Sequence, residues 1–177
     1  MTLPGAGSGT GSAPPPGVVV GVGVDLCGVD RMAEALARTP GFAARVFTEA
    51  ERAYCDRRRR NPAERYAARF AAKEAVLKAM GLGIGACGMR DIEVVRASSG
   101  APSVALHGRA VALAAERGIT GWHLTLSHTD TVAIAQVTGV ATLAIVAGAA
   151  RGGATGAARG GATGAAGGGA TGAAGTP

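Results

Sequence analysis

Residues 69–83 read RFAAKEAVLKAMGLG, an alanine-rich stretch that nevertheless carries Arg69, Lys73, Glu74 and Lys78. Glu74 and Lys78 are one helical turn apart, where opposite charges are neighbours worth a few tenths of a kcal/mol. An ordinary surface pair accounts for those two taken alone. A second acid, Asp25, ends the β-branched run VVVGVGVD at 18–25, and Ser127-His128-Thr129 offers two hydroxyls and an imidazole. Carboxylates take protons or cations and a lysine beside them takes anions, so these groups suit ionic chemistry once a fold collects them.

The elements that must do so can be read locally. VVVGVGVDLCG at 18–28 has the β-branched content of a strand buried on at least one face. Asp30 can cap a helix through RMAEALAR, stopped by Thr39-Pro40-Gly41. Thr48 with Glu51 is a capping box that opens a helix running into the arginines at 57–60. Asn61 as N-cap, Pro62 at the first helical position and Glu64 predict a long helix from about 62 to 80, with Gly81 as its stop. DIEVVRA (91–97) and SVAL (103–106) read as strands joined by a turn. GRAVALAAERG reads as a short helix, and WHLTLSH (122–128) with VAIAQVT (132–138) as a hairpin around Thr129-Asp130-Thr131. The order β, three helices, ββ, α, ββ predicts an α+β fold, a mainly antiparallel sheet packed against the long helix.

Composition bounds the folded part. The chain has 177 residues, of which 30 are glycine, and only 3% are aromatic. Much of the glycine lies in 1–17, a Gly/Ser/Pro-rich segment without the pattern of a signal peptide, and in RGGATGAA repeats from 151 onward. Such units have no large side chain whose burial offsets the entropy of ordering, so 1–17 and 139–177 are expected to be disordered tails around a domain at 18–138. The apolar run at 140–150, a short helix or the start of the tail, is too short to cross a bilayer, which needs about 20 residues. Cys27, Cys55 and Cys87 match neither a zinc spacing nor a disulfide framework, and fit a reducing cytoplasm. Residues 45–78 hold ten Arg or Lys against five acids, nearly all of the chain's net charge of +6. That patch attracts polyanions or an acidic protein. No aromatic residues interleave the arginine run to stack bases, which argues against single-stranded nucleic acid.

GVGVDLCGVDRM (21–32), RFAAKEAVLKAMGLGIG (69–85) and LTLSHTDTVAIAQV (124–137), in that order and spacing, resemble the holo-acyl-carrier-protein synthase family, the short-type 4'-phosphopantetheinyl transferases. The resemblance covers roughly residues 18–138. It implies transfer of the phosphopantetheine arm of coenzyme A to a serine of an acidic acyl carrier protein, leaving adenosine 3',5'-bisphosphate. It further implies magnesium, and a homotrimer with sites between subunits. On the matching positions, Asp25 and Glu74 would hold the metal and Lys78 would reach the phosphates or leaving group; these three form the catalytic set. Gly81 and Gly83 would let backbone approach the coenzyme. Pro102, Ser127, His128 and Thr129 would lie by the nucleotide, and Arg31, Arg45 and Arg52 would grip the carrier. Either Glu74 or a metal-bound water held by Asp25 would take the serine proton.

Two positions depart from the family pattern. Gly28 stands where an acid is usual, and Ala101, in Gly100-Ala101-Pro102, where a cation is usual; weaker coenzyme A binding is the expected result. A catalytically silent carrier-binding relative and a basic nucleic-acid-binding module are the alternative readings.

Overall fold

The structure, a computed structural model, describes residues 17–57 and 61–143. The predicted tails, apart from Gly17 and 139–143, and Arg58 to Arg60 lie outside the described residues. Five strands and five helices follow in the order β1 (Gly17–Gly28), α1 (Val29–Arg38), α2 (Phe42–Val46), α3 (Glu49–Asp56), α4 (Pro62–Ala79), β2 (Ile92–Arg96), β3 (Pro102–Leu106), α5 (Gly108–Glu116), β4 (Gly121–His128) and β5 (Val132–Thr142). Every strand pairing is antiparallel, but the strands form two sheets: β1-β5-β4, and a separate β2-β3 hairpin. None of the described helices is long and apolar enough to cross a membrane.

Several local expectations need correction. α1 begins at Val29 with Gly28 as its N-cap, because β1 runs straight into it and Val29 N–H is held by Thr131 O at 2.9 Å. Asp30 therefore sits in the first turn, where a carboxylate still complements the helix dipole. α2 is an additional five-residue helix that starts after Gly41, whose φ of 72° is left-handed. Asn61 precedes α4 but makes no side-chain cap bond; its Nδ2 donates instead to Glu64 Oε1 at 2.8 Å. The second hairpin strand does not end at 138. It continues to Thr142, which lies opposite Gly17, so the pairing of β1 and β5 reaches past both expected domain limits. The Thr48–Glu51 capping box and the left-handed Gly81 after α4 form as expected.

α4 is the centre of the molecule. It carries thirteen buried residues, seven of them alanine, and joins the two clusters of the core. Alanine is needed because β1 lies almost against its backbone: a Cβ on Gly21 would overlap the carbonyl oxygen of Ala79, and one on Gly23 that of Ala75. Lys73, fully buried on α4, donates to Glu51 Oε2 at 2.7 Å, to Met89 O at 2.9 Å and to Ile92 O. Glu51 in turn accepts from the Thr48 and Val94 N–H groups, at 2.9 and 3.0 Å. This ion pair ties α4 to α3 and β2 with every strong donor and acceptor engaged, the condition under which a buried pair is tolerated.

Gly23→Ala is expected to lower unfolding stability by about 3 kcal/mol or more, because the clash is with rigid backbone. Gly83→Ala, with nothing within 4 Å of the added methyl, is expected to stay within about 0.5 kcal/mol of wild type. Urea denaturation of the two variants measures the difference.

Candidate active site

Because strand side chains alternate, the face of β1 that carries Gly21 and Gly23 also carries Asp25. Lys78, near the end of α4, reaches back across this contact, donating from Nζ to Asp25 Oδ1 at 2.8 Å and to Val24 O at 3.1 Å. Glu74, one turn earlier, is half-buried beside them. Asp25 and Glu74 line an open cleft of about 450 Å³ with Cys27, Arg31, Met32, Phe42 and Phe70. Burial pushes the Glu74 carboxyl above its ordinary range and the Asp25 charge adds to the push, while Lys78 and Arg31 oppose it. The hydrogen bond to Asp25 raises Lys78, keeping it an ammonium. Burial, then Asp25, raises Cys27, so its sulfur stays a thiol.

The donor set fits a hard divalent cation that brings most of its own ligands. Two carboxylates line one cleft, and the Asp25 charge adds to the cost of ionising Glu74, which a cation between them would relieve. Among the described residues no group of three or more His, Cys, Asp or Glu forms a closed metal cage. Magnesium is bound in this manner, by one or two carboxylates with phosphate oxygens and waters completing its shell.

The nucleotide-end residues lie elsewhere. Pro102 and His128 line a second cavity of about 270 Å³, walled by Tyr54, Arg65, Arg69 and Arg96, with Glu64 as its acid. Arg69 is 4% exposed and its Nε–H has no hydrogen-bond partner among the described residues. The three arginines were not singled out as site residues from the sequence. The excess positive charge of 45–78 and the oddity of Arg69 in an alanine stretch were the available signals. Arg69 and Glu74 stand about 140° apart around the helix at 3.6 residues per turn, so α4 presents the two cavities on different sides.

Other expected site residues are dispersed. Ser127 is exposed and, by strand alternation, faces away from the side where His128 lies. The Thr129 hydroxyl serves its own turn, accepting from the N–H groups of Thr131 and Val132. Gly81 and Gly83 follow Lys78 in an open loop. Of the arginines expected to meet the carrier, Arg31 lines the cleft, Arg45 donates to Pro40 O at 3.0 Å, and Arg52 is half-buried, its Nε–H without a partner among the described residues. The departure at Ala101 is open to compensation, and the one at Gly28 leaves room for a side chain. A Cβ at Gly28 would only touch Arg31, and Arg96 brings a guanidinium to the loop that lacks a cation at 101, its Nε donating to Gly100 O at 2.9 Å.

Residues 21–135 match the 4'-phosphopantetheinyl transferase superfamily. The holo-[acyl-carrier-protein] synthase of Desulforudis audaxviator is 50% identical over 119 residues, which are 67% of this chain and 90% of that protein. The crystal structure of holo-ACP-synthase from Plasmodium yoelii superposes with a TM-score of 0.64 at 31% identity, covering 72% of this chain and 98% of that one. A Bacillus anthracis holo-(acyl-carrier-protein) synthase, solved in complex with CoA (3',5'-ADP), gives a TM-score of 0.58 at 32% identity over 70% of this chain and 98% of its own. This chain belongs to the 4'-phosphopantetheinyl transferase superfamily.

The raised Glu74 carboxyl has a stability consequence. A folded-state value above the unfolded one favours folding while the group is protonated, and that contribution is lost as pH rises through the folded value. In metal-free buffer Glu74→Gln should therefore raise Tm at about pH 7 and leave it nearly unchanged at about pH 3, below the ordinary carboxylate value, where the glutamate is neutral folded and unfolded. Thermal melts at the two pH values check this.

Proposed function

We propose that this superfamily member transfers the 4'-phosphopantetheine arm of coenzyme A to a serine hydroxyl of an apo acyl carrier protein, releasing adenosine 3',5'-bisphosphate. The observation that carries the reading is that Asp25 and Glu74 line one cleft while Lys78 is bonded to Asp25, the polar set that a pyrophosphate transfer requires. The serine oxygen forms a bond to the phosphorus that bears pantetheine, and the bond from that phosphorus to the bridging oxygen breaks. The departing nucleotide keeps the electron pair. Magnesium held by Asp25 and Glu74 would neutralise charge on the pyrophosphate. Glu74, with its elevated carboxyl, is suited to take the serine proton once ionised. Lys78 remains positive and can stabilise the leaving phosphate.

Coenzyme A carries two phosphate groups of different kind. Its pyrophosphate has to lie where the bond breaks, at Asp25 and Glu74. The arginine cavity with His128 is then left for the 3'-phosphate, a dianion that guanidinium groups bind well. Since the two cavities open on different sides of α4, we infer that a neighbouring copy supplies the second one, in a trimer with sites between subunits. The outward face of β1 supports this: Val22, Val24 and Leu26 are 60%, 47% and 62% exposed on an edge strand, the kind of surface that proteins cover. The acidic carrier would meet Arg31 beside the cleft, with Arg45 as a helper on the neighbouring helix. The three free thiols suit a cytoplasmic setting.

Intact-mass spectrometry of an apo carrier protein with this protein, coenzyme A and magnesium should show the gain of one phosphopantetheine, abolished by EDTA. No gain over several carrier proteins would overturn the reading in favour of a silent relative. At coenzyme A concentrations well below KM, Glu74→Gln should be inactive and Arg69→Ala strongly impaired, each alone. Refolded together they should recover about a quarter of wild-type activity, since random pairing leaves one intact site in four when the two cavities come from different copies. No recovery would place the whole site within one chain.

A further inference from the structure

The arginine cavity is assembled around one aromatic ring. Tyr54, half-buried on α3, has Arg69 Cζ 4.0 Å from its ring centroid, Arg65 Cζ at 4.6 Å and Arg96 Cζ at 5.3 Å. Its hydroxyl accepts from Arg96 Nη1 at 2.6 Å, and its backbone carbonyl accepts from Arg65 Nη1 at 2.9 Å. The three guanidinium groups come from two distant elements, Arg65 and Arg69 from α4 and Arg96 from the end of β2, and they repel one another. Among the described residues, none of the three forms an ion pair with a carboxylate. Glu64, the acid in the same wall, accepts from Asn61. The ring, whose negative face draws cations, is the group that all three share, with the Tyr54 hydroxyl and carbonyl and Gly100 O fixing two of the three in angle. Among the described residues, Arg69 spends only one long bond, 3.5 Å to Arg65 O, of its five N–H donors. The wall is thus charged, preorganised and largely uncommitted as a donor.

We infer that Tyr54 is a positioning residue for the 3'-phosphate: it gathers Arg65, Arg69 and Arg96 in the geometry that makes the enzyme prefer coenzyme A to 3'-dephospho-coenzyme A. The inference rests on the assignment of this cavity made above. Tyr54 acts through the arginines and plays no part in breaking the pyrophosphate, so its effect belongs in KM and only for the substrate that carries the phosphate.

The test is steady-state transfer to an apo carrier protein with each of the two coenzymes. It compares wild type, Tyr54→Leu, Tyr54→Phe, and a protein carrying pentafluorophenylalanine at 54, in which the ring keeps nearly its shape but its face no longer attracts cations. Tyr54→Leu and the fluorinated ring should raise KM for coenzyme A about tenfold with kcat nearly unchanged, the loss of roughly one good charged contact. KM for the dephospho form should stay as it is, and Tyr54→Phe, which retains an attractive ring, should keep most of the preference. An equal rise in both KM values would mean a general structural role and would overturn the inference. So would a Phe variant as poor as Leu, or a fluorinated variant as good as wild type, and the last of these holds even if the leucine variant fails to fold. If wild type itself does not distinguish the two coenzymes, the cavity assignment falls and takes this inference with it. A wild type that transfers from neither coenzyme overturns the proposed function as well.

Discussion

The approach of β1 to α4 is the constraint on which the site depends. Two glycines on the strand lie against carbonyl oxygens of the helix, with no side chain between them. Helix and strand backbones usually keep the distance their side chains impose, and here that distance has been reduced to the minimum. The same alternation that turns Gly21 and Gly23 toward the helix turns Asp25 toward it two residues later. A lysine one turn after Glu74 can therefore span the gap and hold the aspartate directly. With larger residues at 21 and 23 the acid and the helix would be driven apart, and Asp25, Glu74 and Lys78 would cease to be one group.

The charges of α4 have three separate destinations. Arg69 turns to the arginine cavity, Lys73 to the interior, and Glu74 and Lys78 to the Asp25 side, Glu74 lining the cleft and Lys78 bonded to Asp25. Lys73 is the least expected of these. Burial lowers its tendency to hold a proton while the Glu51 carboxylate raises it, and desolvation is the larger effect. Its bonds to Glu51 and to two carbonyls leave the ammonium no unsatisfied donor. Since neighbouring helical residues point about 100° apart, fixing Lys73 inward also fixes where Glu74 points. Removing either member of the buried pair would leave the other charge stranded, a loss of about 3–5 kcal/mol.

Much of this was legible in local signals. The Thr48–Glu51 box, Pro62 at the head of α4, Gly81 at its end and the turn at 129–131 are decided by residues within a few positions of one another, and local chemistry prevailed there. α2 was not legible, because five residues offer no periodicity to detect. The start of α1 was misplaced since a tertiary bond from Thr131, not an aspartate, holds its first N–H. In the site, Asp25, Glu74 and Lys78 could be grouped by their motif, and the structure brings them together. The arginine cavity could not be read in this way: its parts are joined only when the β2-β3 hairpin lies beside α3 and α4, and Tyr54 has no charge or motif to mark it. Ser127 was placed with His128 by the Ser-His-Thr motif, yet adjacent strand residues face opposite ways.

Gly17 and Thr142 stand opposite each other as the outermost pair between β1 and β5. The two described ends of the domain are therefore close neighbours at one corner of the sheet, and the backbone between them is almost a ring. A few residues could join them covalently, and new ends could be opened at an exposed turn elsewhere, which domains with adjacent termini tolerate well. A module joined at either described end would depart from that same corner. The two described ends offer one point of attachment in space, although they lie at opposite ends of the described chain.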